Sequence, residues 1–295
     1  MSQSAHMTPE RDHLPAERPV GSDARVAVVI PTYNDAQLAR EAVASARAEP
    51  GVEVVVIDDG STDPASLQEL ARLEGDGVRV LRQANRGPGP ARLSGVAATA
   101  AALLFALDAD DILEPGALAA LADALERDQQ AAFAWGDYEE FGTKHERYRA
   151  PRTFMPWSST YLNLYFAPIL VRREALLAVG GWPASRYEDW GLVLAFVEHG
   201  LTGVYVERVI FRRRIAGASR LSGHRGQHSL AYEELRRSYP RAFAERGRLR
   251  RIERPALWKQ IVYPMFYGRR TLIPRRLEDR LRASRLWMAL RLLRR

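Results

Sequence analysis

The chain has 295 residues, 46% of them hydrophobic, a formal net charge of +7 and no cysteine. That is enough apolar material for one large core, or one core with an appendage, and it excludes disulfides, thiolate metal sites and cysteine nucleophiles. No uninterrupted apolar run of about eighteen residues predicts a transmembrane helix, and no charged stretch leading into an apolar core predicts a secretory signal, so a cytoplasmic location is expected.

The charge is unevenly spread. From Arg241 onward there are 17 basic and 4 acidic residues, a net of +13, which leaves −6 for residues 1–240. Only Lys144 and Lys259 are lysines. The arginine bias therefore runs through the whole chain and is no sign of nucleic-acid recognition; no nucleic-acid partner is expected.

Residues 1–24 are polar, proline-containing and without periodicity, which predicts a disordered lead-in. Val26–Ile30 is a short apolar run closed by Pro31, the pattern of a strand covered on both faces. Residues 35–48 carry Leu38, Ala42, Val43 and Ala46 at helical spacing. Val54–Ile57 repeats the strand pattern; a turn over Asp58–Asp63 follows, and Pro64 suits the first turn of a helix. Val78–Leu81 is a third strand and residues 90–101 a helix. Leu103–Leu107 is a fourth strand running into Asp108-Ala-Asp-Asp111, and Pro115 opens a helix reaching about Arg127.

This alternation predicts an α/β domain with a largely parallel sheet. Ligands in such sheets sit beyond the carboxyl ends of the strands, where Thr32–Asn34, Asp58–Asp63 and Asp108–Asp111 all fall. Further along, residues 131–141 and 167–171 predict strands, 142–160 a loop region, and 174–179 and 189–199 helices. From about residue 225 the pattern is helical and arginine-rich, with breaks expected at Pro255, Pro264 and Pro274.

Carboxylates two apart on a turn can converge on one hard cation, and Mg²⁺ or Mn²⁺ can bridge them to a diphosphate. An acidic turn capping the next helix is the plainer reading of Asp108–Asp111. Likewise, Pro31–Asn34 and Asp58–Ser61 read either as ordinary turns into helices or as groups facing a nucleotide.

The order of these clusters carries more than any one of them. Pro31-Thr32-Tyr33-Asn34, Asp58-Asp59-Gly60-Ser61-Thr62-Asp63, Asn85-Arg86-Gly87 with Ala91-Arg92 and Gly95, and Asp108-Ala109-Asp110 follow one another as in glycosyltransferase family 2. Val171-Arg-Arg-Glu174 leading to Gly180-Gly-Trp182, and Glu188-Asp189-Trp190, add to the match. The chain resembles that family over about residues 25–222. The resemblance implies a GT-A fold and an inverting transfer from a nucleotide-diphosphate sugar with a divalent metal, Mn²⁺ or Mg²⁺. It implies Asp110 as the principal metal ligand with Asp108 near metal and ribose. Asp58, Asp59, Pro31, Thr32, Tyr33 and Asn34 are implied around base and ribose, and Asp189 as general base with Glu188 as the alternate. Arg86 and Arg92 either face the donor or lie at the surface. The Glu188–Asp189 pair also reads as a helix cap.

Two positions depart from the family. Gly191 stands where a second aspartate is common. In Arg214-Ile-Ala216-Gly-Ala-Ser219, alanine occupies the usual histidine position, which leaves Arg212, Arg213 and Arg214 to compensate.

The expected organisation is a lead-in over 1–24, a GT-A domain over 25–225 and a basic helical extension over 226–295. Two readings stay open for the extension. It packs on the domain, or its arginines and aromatics attach to an anionic membrane at the inner face of the cell membrane. The second suits a glycan or lipid-linked acceptor in polysaccharide, cell-envelope or glycolipid assembly. A nucleotidyltransferase and a non-catalytic sugar-nucleotide binder docked at a membrane are the rival functions.

Overall fold

The computed structural model describes residues 23–165, 168–215 and 227–268. Most of the lead-in, the segment 216–226 with Ala216 and Ser219, and the tail beyond residue 268 lie outside the described residues.

The first half of the chain is built from strand–helix units. β1 (Val26–Thr32), β2 (Val52–Asp58), β3 (Arg79–Arg82) and β4 (Leu103–Ala106) lie side by side in the order β3-β2-β1-β4, all parallel. The apolar runs of β1, β4 and the second half of β2 are buried on both faces, as covered parallel strands require, whereas β3 is the half-exposed edge strand. Alternation along β1 sends Val26, Val28 and Ile30 into one core and Ala27 and Val29 toward the other face. Helices α1 (Ala36–Arg47), α2 (Pro64–Gly75) and α3 (Pro88–Ala98) supply the crossovers. α2 starts where the sequence places it: Asp63 caps the Ser66 amide at 2.8 Å, with Pro64 in the first turn. α3 lies so close to β1 that a Cβ on Gly95 would overlap the Val29 side chain.

After β4 the rhythm changes and the sheet becomes mixed. β5 (Ile112–Leu113) leads into α4 (Ala117–Arg127), β6 (Ala131–Gly142), β7 (Glu146–Tyr148) and α5 (Pro156–Ser159). β8 (Leu170–Arg172), α6 (Arg173–Ala178), α7 (Glu188–Glu198) and β9 (Thr202–Ile215) complete the sheet. Beyond β4 the strand order is β8-β6-β9-β5, with β7 paired to β6. β8 is antiparallel to β4 and β6, β6 is parallel to β9, and β5 is antiparallel to β9. The expectation of a largely parallel sheet holds for the first four strands. It fails where short loops replace crossover helices, because only a crossover returns the chain in the same direction.

Three local expectations are corrected. The 142–160 loop region contains β7 and α5. Residues 202–215, which carried no sequence assignment, form the longest strand, consistent with their Val, Ile, Tyr and Phe content. Pro264 does not break the chain: it sits inside α11 (Leu257–Phe266), within two residues of its end, where few backbone bonds remain to be lost.

One core, lined by α1, α2 and α4, covers one face of the sheet, and a second, with α3, α6 and α7, covers the other. A third joins Trp157, Tyr161, Trp190 and Leu194 to Ala231, Tyr232, Leu235, Phe243, Leu249 and Tyr263. The last four described helices, α8 (Gln227–Ser238), α9 (Pro240–Ala244), α10 (Arg246–Glu253) and α11, are thus seated on α5 and α7. Glu253 reinforces the seat by accepting the Ser158 amide at 2.8 Å at the start of α5. No helix among the described residues is long and apolar enough to cross a membrane.

Candidate active site

The carboxyl ends of β1, β2 and β4 meet the start of α7 and the end of β9. The β1 and β2 loops are tied together by Asn34, whose left-handed backbone (φ 58°) lets its side chain turn back. Its Oδ1 accepts the Thr62 amide at 2.8 Å and the Asp63 amide at 2.9 Å, while its own amide donates to Ser61 Oγ at 2.9 Å. Asn34 is therefore a brace between loops. Pro31 closes β1. Thr32 is buried with its Oγ1 unpartnered, and the Tyr33 ring is 43% exposed beside it.

Asp58 and Asp59 are both buried but do different things. Asp58 Oδ1 accepts the Ser61 amide at 2.9 Å. Asp59 is fully engaged: Oδ1 accepts from Gln83 Nε2 (2.7 Å) and the Arg86 amide (2.9 Å), and Oδ2 from the Gly87 amide (2.8 Å). It shapes the 83–87 loop. Gly60 (φ 79°) permits this close approach, since a Cβ there would fall 2.8 Å from the Asn85 amide nitrogen. The Arg86 side chain is exposed on that loop.

Arg92 is the hub. Its guanidinium is buried, 2% exposed, and touches three carboxylates: Asp108 (2.7 Å), Glu188 (3.0 Å) and Asp189 (3.1 Å). Of the two sequence readings of Arg92, the surface one fails, because the side chain is buried. Burial works against its charge, but Asp189, Asp108 and Glu188 outweigh that and raise its pKa. The Trp182 ring lies 5.9 Å from the guanidinium carbon, which gives the Gly-Gly-Trp segment its place beside the hub.

Glu188 and Asp189 occupy the first turn of α7, whose cap position is Tyr187. They do not cap the helix; they turn toward Arg92. Burial pushes the Asp189 carboxyl up to about 7, with Arg92 and Arg213 pulling down and Glu188 and Asp108 pushing up. Burial also raises Glu188, partly offset by Arg92. Gly191, the first family departure, has a steric reason: a Cβ would fall 2.6 Å from Pro183 Cγ and 3.1 Å from the Tyr239 hydroxyl.

On the other side of Arg92, the carboxylates of Asp108, Asp110 and Asp111 offer oxygens within 4.8 Å of one another. Burial and the charges of Asp108 and Asp110 hold Asp111 well above the usual carboxylate range, and burial and Asp108 raise Asp110. Such crowded, under-neutralised oxygens fit a hard divalent cation. Asp111 adds a third carboxylate to the two singled out from the sequence; it also accepts the Arg214 amide at 3.1 Å. The helix-capping alternative for this turn fails as well. Glu49, not an aspartate of the cluster, holds the start of α4, accepting the Gly116 amide at 2.5 Å and the Leu118 amide at 3.3 Å.

Comparison with known proteins gives the family and the fold. The family described as "Glycosyl transferase family 2" matches residues 27–177, and the chain belongs to that family. The match stops short of Glu188–Trp190, so the placement of Asp189 rests on the geometry above. A succinoglycan biosynthesis protein of Rhizobium meliloti (strain 1021), ExoU, is 46% identical over 99 residues, covering 32% of this chain and 29% of that protein. A second from the same organism, ExoO, is 40% identical over 96 residues, covering 32% and 27%. The matched stretch thus spans under a third of these relatives. Residues 1–349 of TarS from S. aureus, solved in complex with UDP-GlcNAc, superpose with a TM-score of 0.66 at 16% identity, covering 84% of this chain and 74% of that one. That likeness shows the fold, which is GT-A.

Proposed function

We propose that this protein is an inverting, metal-dependent glycosyltransferase that moves a sugar from a nucleotide-diphosphate donor to an acceptor hydroxyl. The observation that carries the proposal is a buried arginine, Arg92, holding the Asp108 carboxylate and the Asp189 carboxylate on one guanidinium. It sets a cluster suited to a metal–diphosphate next to a carboxylate suited to accept a proton.

Asp110, with Asp108 and Asp111, would hold Mn²⁺ or Mg²⁺. When bound, the cation supplies neutralisation of charge on the departing diphosphate. Asp189 takes the proton of the acceptor hydroxyl as its oxygen bonds to the anomeric carbon. The carbon–oxygen bond to the diphosphate breaks, and its electron pair leaves with the nucleoside diphosphate. One displacement with one base inverts the anomeric configuration. Pro31, Thr32, Tyr33 and Asp58 line the rim on which base and ribose would sit, while Asn34 and Asp59 hold its loops.

The transferase domain is taken as residues 25–225, with the basic extension at 226–295. The names of the succinoglycan relatives support a role in polysaccharide assembly, and the UDP-GlcNAc complex of TarS supports a nucleotide-sugar donor. A lipid-linked glycan acceptor at the inner face of the cell membrane suits the basic extension.

The test is a panel of nucleotide sugars incubated with the full chain and a glycan acceptor, with and without Mn²⁺. Release of nucleoside diphosphate and an inverted linkage by NMR are expected only with metal. Pyrophosphate release from a nucleoside triphosphate would replace this reading with nucleotidyl transfer. Donor binding without turnover would replace it with a non-catalytic binder.

A further inference from the structure

A cavity of about 490 Å³ opens among α8, α9, α10 and α11 where they meet the turn after α5, and no residue of the candidate active site lines it. Its walls carry the rings of Tyr161, Tyr232 and Phe243, and its cations are Arg246 and Arg236. The Arg246 guanidinium carbon stands 3.9 Å from the Tyr161 ring centroid, 4.6 Å from that of Phe243 and 5.5 Å from that of Tyr232. Its Nε donates to Thr160 Oγ1 at 2.8 Å and its Nη2 to the Thr160 carbonyl at 2.6 Å. Nη1 is left without a protein acceptor among the described residues.

An enclosed arginine is ordinarily neutralised by carboxylates, as Arg92 is. Arg246 is held differently: ring faces and the Thr160 oxygens fix its geometry and leave its charge uncompensated. The carboxylates of these helices are turned elsewhere. Glu233 pairs with Arg237 (3.7 Å), Glu245 with Arg248 (2.6 Å), Glu234 accepts from Ser185, and Glu253 holds the Ser158 amide. Arg236, exposed at the rim of the cavity, makes no side-chain hydrogen bond or ion pair among the described residues. Two guanidinium groups without a carboxylate, lining one aromatic cavity, suit a phosphate ester, whose oxygens accept charged hydrogen bonds from such groups.

The surface beside the cavity selects among phosphate esters. Leu257, Ile261 and Pro264 recur at i, i+4 and i+7 along α11 and so share one face. Pro264 lines the cavity, while Leu257 and Ile261 are exposed, as is Ile252 near the end of α10. Arg250, Arg251 and Arg254 are exposed on the same stretch of chain. An apolar stripe that leads from solvent to the wall of an arginine-lined cavity matches a lipid at a bilayer surface; a free phosphate ester would gain nothing from the stripe.

We propose that the cavity among α8 to α11 is a headgroup site for an anionic phospholipid, with the phosphate on Arg246 Nη1 and Arg236 and the acyl chains beside Leu257 and Ile261. The site shares no residue with the donor, metal or base positions, so it stands apart from the transfer reading above. Its occupation fixes the enzyme at an anionic bilayer through the helices that seat on α5 and α7.

The experiment is co-sedimentation of the full chain with vesicles of equal parts phosphatidylcholine and phosphatidylglycerol, against vesicles of phosphatidylcholine alone. The wild type is expected on the first and not on the second. Arg236→Ala removes an exposed side chain that holds nothing in the fold, and should weaken vesicle binding about tenfold, the worth of a charged hydrogen bond. Ala244→Trp fills the cavity from its exposed rim without changing any charge, and should do the same. Arg237→Ala removes an equal charge one position along α8, outside the cavity, and should lose less than either. Equal losses for Arg236→Ala and Arg237→Ala, with normal binding by Ala244→Trp, overturn the site, since they mark diffuse attraction to a basic face. A wild type that binds both kinds of vesicle alike, or neither, overturns it too. Displacement by glycerophosphate at the concentration of the anionic lipid, beyond that by chloride at matched ionic strength, overturns the lipid and makes the cavity a site for free phosphate esters. Vesicle binding needs no sugar donor, so each of these failures leaves the transfer reading where it stood.

Discussion

Asp189 is the proposed base, and its surroundings set two opposite pH dependences. A base works only when ionised, and burial has pushed this carboxyl up to about 7. Transfer should therefore fall as pH drops through about 7. Stability runs the other way. A raised pKa means that the fold prefers the protonated acid, so this group's contribution is complete below about pH 4 and lost as pH rises through about 7. Asp189→Asn keeps the shape and removes the charge. Single-turnover transfer should fall by about 10²–10⁴-fold with little change in donor affinity, while above pH 7 the variant melts no lower than the parent. Near-normal transfer would move the base role to Glu188; loss of donor binding would place Asp189 among the donor contacts.

At the scale of elements, the site depends on three close approaches. α3 lies against β1 at Gly95, the β2 loop against the 83–87 loop at Gly60, and α7 against the Pro183 turn and Tyr239 of the extension at Gly191. Each brings a functional group to the rim: Arg92, Asp58 and Asp189. The Gly191 approach gives a direct test, because α7 is otherwise a good helix and alanine should favour it by propensity. Here the added methyl has no room. Gly191→Ala should cost about 1–3 kcal/mol through overpacking, read as a lower midpoint in chemical denaturation, with reduced transfer as α7 shifts. A neutral or stabilised variant would show that the α7–α8 contact is looser than described.

At the scale of the whole molecule, charge and exposed apolar surface gather at one end. The segment from Arg241 carries net +13. On its described helices Ile252, Leu257 and Ile261 are 59%, 78% and 62% exposed, beside exposed Arg248, Arg250, Arg251 and Arg254. Large apolar side chains among arginines suit an anionic bilayer surface, where basic residues contribute about 1 kcal/mol each. Full-length protein should sediment with phosphatidylglycerol vesicles at low salt and be released at high salt. Ile252→Ser with Leu257→Ser and Ile261→Ser, or deletion of residues 271–295, should reduce sedimentation while transfer to a soluble acceptor persists. Indifference of the intact chain to such vesicles would leave the extension as packing alone, a role already visible in the shared core of α5, α7 and α8 to α11.

The sequence by itself determined the first four strands, their crossover helices and the rim on which the polar clusters sit. Runs such as Val26–Ile30 and turns such as Asp63-Pro64 are local signals that need no distant partner to be read. It also determined the family, through the order of its motifs. What only the tertiary structure decided was how equivalent-looking residues divide their work. Asp58 and Asp59 are adjacent, yet only Asp59 has both oxygens taken by the 83–87 loop. Arg92 reads as one arginine among many until residues 96 and 97 positions away close around it. Gly191 departs from the family because Pro183 and Tyr239 fill the space of a side chain. The strand over 202–215 was equally hidden: its pairing with β6 bridges some seventy residues, and its arginine run obscures the alternation that puts Arg213 on one face and Arg212 and Arg214 on the other. Burial, charge pairing and exclusion are properties of what surrounds a residue, and those surroundings exist only once the chain has folded.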